Sequence, residues 1–169
     1  MINLYIDFDG VILDTITTTY EIMDSVALDR SDDTITQAFY KSLDWNHVIE
    51  ITPEINDALS CIQRIIDSKR FDVAILTHVH SLDEIVAKVN FIRSKLHNIT
   101  VIPVPKKLSK TMMVNAKDAI LIDDYSGNLK AWEEAGGIGV RFSLDLEDKG
   151  YIVLDRLDQI LGYSFEKTR

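Results

Sequence analysis

Short apolar runs alternate along this chain with stretches whose apolar residues fall three and four apart. The first run opens the sequence: Ile2, Leu4 and Ile6 share one side, and Tyr5 and Phe8 add bulk. Later runs are Phe71 to Thr77, Ile99 to Val104, Ala119 to Ile122 and Ile138 to Phe142. Near-continuous apolarity over such lengths suits strands covered on both faces. Between them, Ile16, Tyr20, Met23 and Ala27 predict a helix over 14–28, and Ile35, Ala38, Phe39 and Leu43 a shorter one over 34–43. Residues 29–34 are a polar break whose Ser31, Asp32, Asp33 or Thr34 caps the second helix, and 44–51 reads as irregular. Thr52-Pro53-Glu54 has the form of a helix start, Thr at the cap and Pro at the first position, with Ile55, Leu59, Ile62 and Ile66 on the buried face. Ser81 and Glu84 form a capping-box pattern ahead of Ile85, Val89, Ile92 and Leu96. A helix over 126–135, with Ser126 as cap and Gly136 as stop, and a closing helix over 154–161 complete the reading.

From residue 71 onward strands and helices alternate, which predicts a parallel sheet with helices on both faces. The expected fold is α/β: a Rossmann-like parallel sheet of about five strands flanked by helices, with a small helical cap inserted after strand one. Residues 1–14 and 52–169 would form the core and 15–51 the cap. Ligands of such sheets bind at the carboxyl ends of the strands. The unusual polar residues fall there: Asp7 and Asp9 after strand one, Thr77 after strand two, Lys110 beyond strand three, and Asp123 and Asp124 after strand four.

Composition narrows the function. At 169 residues, 46% of them hydrophobic, the chain supports one domain with a sizeable core. Its net charge of −9 argues against a broad surface for nucleic acid or anionic membrane. One cysteine, Cys61, sits in a helical pattern and reads as a buried structural thiol. No basic segment followed by an apolar one opens the chain, and no run approaches the roughly 18 apolar residues of a membrane helix. A soluble, cytoplasmic protein is expected.

Four acids on one sheet edge repel each other without a cation, and Mg²⁺ suits them: it is hard and takes oxygen ligands, usually one or two carboxylates plus phosphate. One carboxylate can attack phosphorus, and a second can protonate a leaving oxygen and then activate water. Thr77 offers a phosphate a hydroxyl and Lys110 a fixed positive charge. Gly10 permits a sharp turn directly after Asp9.

DFDGVILDT, an apolar strand ending in Thr77, then Lys110, then LIDD at 121–124 resemble the four motifs of the haloacid-dehalogenase-like (HAD) hydrolase superfamily, in order and over nearly the whole chain. The resemblance implies Asp7 as nucleophile, Asp9 as general acid/base, and Thr77 and Lys110 as phosphate ligands. It implies Mg²⁺ on Asp7, the Asp9 backbone carbonyl and one or both of Asp123 and Asp124. His78 and Gly10 join the expected phosphate-contacting set. IEITPEINDAL at 49–59, KT at 110–111 and LIDDYSGNLKAW at 121–132 further resemble the cytosolic 5′(3′)-deoxyribonucleotidases. The implied activity is Mg²⁺-dependent hydrolysis of a nucleoside monophosphate. The alternatives are a phosphatase for a sugar phosphate or other small metabolite, and a non-catalytic phospho-acceptor module.

Blander roles compete at several positions. Asp14 reads as a helix cap, Asn128 as a first-turn residue supporting the loop, and Trp132 as core. Lys106 and Lys107 read as solvated charges. His78 and His80 lack a cysteine or third histidine nearby for zinc and belong at the edge of the site. Trp45, Phe39 and Tyr40 read as core of the cap, with stacking on a base as the sharper possibility.

Overall fold

The computed structural model of the chain describes residues 1–165. Six parallel strands form one sheet: β1 (Ile2–Ile6), β2 (Phe71–Val79), β3 (Thr100–Pro105), β4 (Ile120–Asp123), β5 (Ile138–Phe142) and β6 (Ile152–Leu154). Their spatial order is β3-β2-β1-β4-β5-β6, so β1 is central and the order reverses beside it. That reversal opens a crevice at the carboxyl ends of β1 and β4, where the acids of the motifs lie. Six helices pack around the sheet: α1 (Thr15–Ser25), α2 (Asp33–Ser42), α3 (Trp45–Ile51), α4 (Ala58–Asp67), α5 (Leu82–Lys95) and α6 (Ser126–Glu134).

Alternation along the strands divides the core. Leu4, Ile6, Ile75, Ile120 and Ile122 face the larger apolar cluster, which includes Ile62 and Ile65 of α4 and Ile92 of α5. Leu76 and Leu121 face the smaller one, around Leu129 and Trp132 of α6. Trp132 is core, its indole N–H donating to the Ala119 carbonyl at 3.0 Å.

Several elements differ from expectation. The sheet has six strands because Ile152–Leu154 adds to β5. Three residues make a strand only with a neighbour to pair, so the apolar triplet carries no signal alone. The closing helix is a 3-10 turn at Leu157–Gly162. Residues 45–51 are helical: Asp44 caps them, accepting from His47 N at 3.2 Å, and Trp45, Val48 and Ile49 are buried. Thr52 therefore ends a helix, its hydroxyl donating to the Val48 carbonyl at 2.5 Å. The next helix begins six residues later, at Ala58. Residues 53–55 run instead against the loop after β1, with Asp14 N on the Pro53 carbonyl at 3.1 Å and Ile55 N on the Ile12 carbonyl at 2.9 Å. At α6 the cap is Tyr125, with no side-chain bond, and Ser126 is the first helical residue. Pro103 and Pro105 are accommodated because β3 is an edge strand.

The face of α1 is also rotated from the expected one. Thr15, Thr18, Thr19 and Met23 are buried, while Ile16 and Tyr20 are 38% and 44% exposed and line a cavity at the sheet edge. Asp14 caps this helix, accepting from Thr17 N at 3.4 Å.

Candidate active site

β1 ends at Ile6, opposite Ile75 of β2, and the next residues turn away from the sheet. The turn is made by Gly10 at φ +76°, where an added Cβ would stand 2.4 Å from Asp124 Oδ2 and 3.0 Å from Ile16 Cδ1. Glycine is thus required twice, by backbone and by the approach of Asp124. Gly10→Ala should destabilise the fold by roughly 1–3 kcal/mol, read as a lower thermal midpoint; an unchanged midpoint would show that the loop relaxes freely.

Asp7, Asp123 and Asp124 converge, each offering an oxygen within 4.8 Å of the others'. Lys110, buried at the start of a 3-10 turn (Lys110–Met112), inserts between them. Its ammonium donates to Asp7 Oδ1 at 2.8 Å and Asp123 Oδ2 at 2.6 Å. Burial alone would lower the Lys110 pKa; Asp123 and Asp7 reverse that and raise it. Asp123 also accepts from Tyr125 N at 2.9 Å and Asn128 Nδ2 at 2.9 Å, so Asn128 does support the loop. Arg141, in the middle of the apolar β5, donates to the Asp124 carbonyl at 2.9 Å and fixes that backbone.

Three carboxylates and one ammonium leave two negative charges uncompensated. Burial and the neighbouring Asp123 accordingly push Asp7 up to about 7, against the pull of Lys110. Burial, Asp7 and Asp123 push Asp124 up to about 8. Such a donor set fits a hard divalent cation, which would remove both penalties at once. Asp123 is already engaged by three donors, so Asp124 is the less committed oxygen source.

Asp9 stands apart from that trio. Thr15 donates to its Oδ1 at 2.6 Å, and Lys88 of α5 to its Oδ2 at 2.7 Å. Burial would raise the Asp9 pKa, but Lys88 and the Thr15 hydroxyl outweigh it and hold the carboxyl below its ordinary value. Thr77 is fully buried, with its hydroxyl accepting from Lys88 at 3.0 Å, behind the acids and away from the cavity wall. His78 does line the cavity; its Nε2 meets the Leu108 carbonyl at 2.8 Å, and burial lowers its pKa. His80 lies beside it, with Nδ1 at 3.1 Å from Glu84 and its ring stacked on Tyr40 of α2 (centroids 4.6 Å, 13°).

These groups open into a cavity of 470 Å³ walled by α1 and α2 on one side and the sheet edge on the other. Trp45 is 2% exposed and packs in the core, and both it and Tyr40 line the cavity. Lys106 lines the cavity as well. Lys88, Thr15 and Arg141 were not singled out in the sequence. For Lys88 a signal existed: it is in phase with Ile85 and Ile92 on an apolar stripe, and four residues after Glu84.

No protein-family model matches the chain, and no curated protein matches it significantly in sequence. Solved structures do match its architecture. A HAD phosphatase from Thermococcus onnurineus superposes with a TM-score of 0.61 at 13% identity, over 98% of this chain and 100% of that one. A HAD-superfamily hydrolase of subfamily IA, variant 1, from Geobacter sulfurreducens gives 0.61 at 14%, over 96% and 99%. The fold is the HAD fold. A D,D-heptose 1,7-bisphosphate phosphatase from B. bronchiseptica, complexed with magnesium and phosphate, gives 0.55 at 16%, over 96% and 97%. Among the described residues no helix is long and apolar enough to cross a membrane.

Proposed function

We propose that this protein is a Mg²⁺-dependent phosphomonoesterase that works through an aspartyl-phosphate on Asp7 and acts on nucleoside monophosphates. The observation carrying this reading is the convergence of buried Asp7 and Asp123, bridged by Lys110, with half-buried Asp124 at the edge of a substrate-sized cavity. Neighbours of the same fold are phosphatases, one of them in complex with magnesium and phosphate.

Asp7, Asp124 and the Asp9 backbone carbonyl, with Asp123 behind them, would hold the ion. When bound, Mg²⁺ supplies positive charge for the phosphoryl oxygens and relieves the repulsion among the acids. The chain's own groups do the rest. Lys110 orients Asp7 through Oδ1 at 2.8 Å. An Asp7 oxygen forms a bond to phosphorus as the ester P–O bond breaks; Asp9, held ionised by Lys88 and Thr15, takes the proton of the substrate's phosphate monoanion and passes it to the departing oxygen. Asp9, now a base, takes a proton from water as the water oxygen bonds to phosphorus, and the Asp7–phosphorus bond breaks to release phosphate. Lys110 remains charged throughout, its pKa held up by its two carboxylates.

Residues 15–51 serve as a cap over this site. Tyr20, Tyr40 and Gln37 from that segment line the cavity, giving aromatic faces and an amide suited to a nucleobase. His78 and Lys106, which line the cavity, would meet the phosphate end, with Gly10 shaping the turn after Asp9 and Thr77 acting from behind through Lys88.

The test is phosphate release from 5′- and 3′-nucleoside monophosphates and sugar phosphates, with Mg²⁺ and with chelator. Mg²⁺-dependent release concentrated on deoxynucleotides is expected. Equal rates on sugar phosphates would remove the nucleotide assignment and keep the chemistry; no release from any of them would overturn the phosphatase reading.

A further inference from the structure

Lys88 is a lysine with no exposed surface, in the middle of α5. Its ammonium lies 2.7 Å from Asp9 Oδ2, 3.0 Å from Thr77 Oγ1, 3.1 Å from the His78 carbonyl and 2.7 Å from Glu84 Oε1. Phe8 and Trp45 wall it in, with ring centroids 5.1 and 5.3 Å from the nitrogen. Glu84 is equally buried; its Oε2 accepts from His80 N at 2.6 Å, while Oε1 has the Lys88 charge and no hydrogen bond of good geometry.

A buried ion pair of this kind seldom adds net stability, since two well-packed apolar side chains usually do as well. Its geometry suggests a use. Asp9 sits on the loop leaving β1, immediately before a glycine at φ +76°, and nothing in the strand fixes its side chain. Two anchors do so, one on each oxygen: Thr15 from α1 and Lys88 from α5. Lys88 is in turn held by a strand hydroxyl, a strand carbonyl and Glu84. We infer that Lys88 is a positioning residue, which fixes the Asp9 carboxylate beside Asp7 through this buried Glu84–Lys88–Thr77 cradle. The inference rests on the phosphomonoesterase reading, in which Asp9 moves a proton twice, once at the leaving oxygen and once at water. Each transfer needs the carboxylate within hydrogen-bond reach, and misplacement by an ångström lowers a rate by about a hundredfold.

The test uses Lys88→Met and, because a buried Glu84 left without its lysine destabilises the fold, the charge-balanced pair Glu84→Gln/Lys88→Met. Each is assayed with p-nitrophenyl phosphate and Mg²⁺ for kcat, KM and phosphate bound covalently to protein after acid quench. p-Nitrophenolate leaves without needing a proton, whereas hydrolysis of the aspartyl-phosphate still needs Asp9. The expected result is a kcat lower by about a hundredfold, a kcat/KM within about threefold of the parent (so that KM falls with kcat), and accumulation of phosphoprotein during turnover. A kcat within threefold of the parent overturns the inference. So does a loss of kcat without accumulation, which is what a merely structural lysine would give. If the parent itself neither forms phosphoprotein nor releases phosphate, the functional reading falls, and the inference with it.

Discussion

Asp7→Asn should lower phosphate release by on the order of a thousandfold or more while the protein stays folded. The amide keeps the shape of the carboxylate but cannot form the bond to phosphorus, so no label from a phosphorylated substrate should remain on the protein after acid quench. The same exchange should raise the thermal midpoint in chelator near neutral pH. Burial and Asp123 push the Asp7 carboxyl up to about 7, so the native state holds its charge at a cost. With Asn at this position the trio carries two negative charges against Lys110 instead of three, and Lys110 keeps its 2.6 Å bond to Asp123. Activity within tenfold of the parent would exclude Asp7 as nucleophile. Lost activity with a lowered midpoint would instead mean that Asp7 is a structural partner of Lys110. The two readouts move in opposite directions only if Asp7 is held ionised for chemistry.

The parts of this protein readable from sequence are those where local physics and site chemistry disagree. Asp7 and Asp9 at the end of an apolar strand, and Asp123 and Asp124 at the end of another, make no sense as strand residues, and the structure brings Asp7, Asp123 and Asp124 together with Lys110. Parallel strands announced themselves as apolar runs because they are covered on both faces. The misreadings come from tertiary partners with no local trace. Thr52-Pro53 has helix-start chemistry, but Pro53 and Ile55 are taken by the loop after β1, and Asn56 and Asp57 turn through positive φ before α4 can begin. The face of α1 was misjudged because its inward side meets polar groups at the site: Thr15 holds Asp9, and Thr19 meets the Tyr40 hydroxyl at 3.3 Å. A threonine face is invisible to a search for apolar periodicity. Lys88 was missed for the same reason in reverse, since a lysine on a helix is normally solvated, and only its alignment with Ile85 and Ile92 marked it as buried.

Chelated protein should lose stability as pH rises from about 5 to about 8, and Mg²⁺ should restore more of it at the upper end than at the lower. Asp7 and Asp124 have native pKa values of about 7 and about 8, above their ordinary 3.8. Over the interval between, the native state binds protons that the unfolded chain has released. The stability they contribute is therefore complete below the unfolded value and declines as pH climbs through the native ones, by about 1.4 kcal/mol per pH unit for each proton retained. Asp9 runs the other way: Lys88 and Thr15 outweigh its burial, so its contribution is present above the ordinary carboxylate range and is lost in acid, below the interval that matters here. A cation competes with those same protons. Its binding is weak while Asp7 and Asp124 are protonated and strengthens as they ionise, so at a hundredfold excess over its dissociation constant it should return about 2.7 kcal/mol near pH 8 and much less near pH 5. Thermal melts at three pH values, with chelator and with Mg²⁺, measure both effects. A chelated midpoint that rises between pH 5 and 8 would mean that the trio is not held in the repulsive arrangement from which its metal affinity is argued. A Mg²⁺ effect independent of pH would place the ion somewhere other than on these acids.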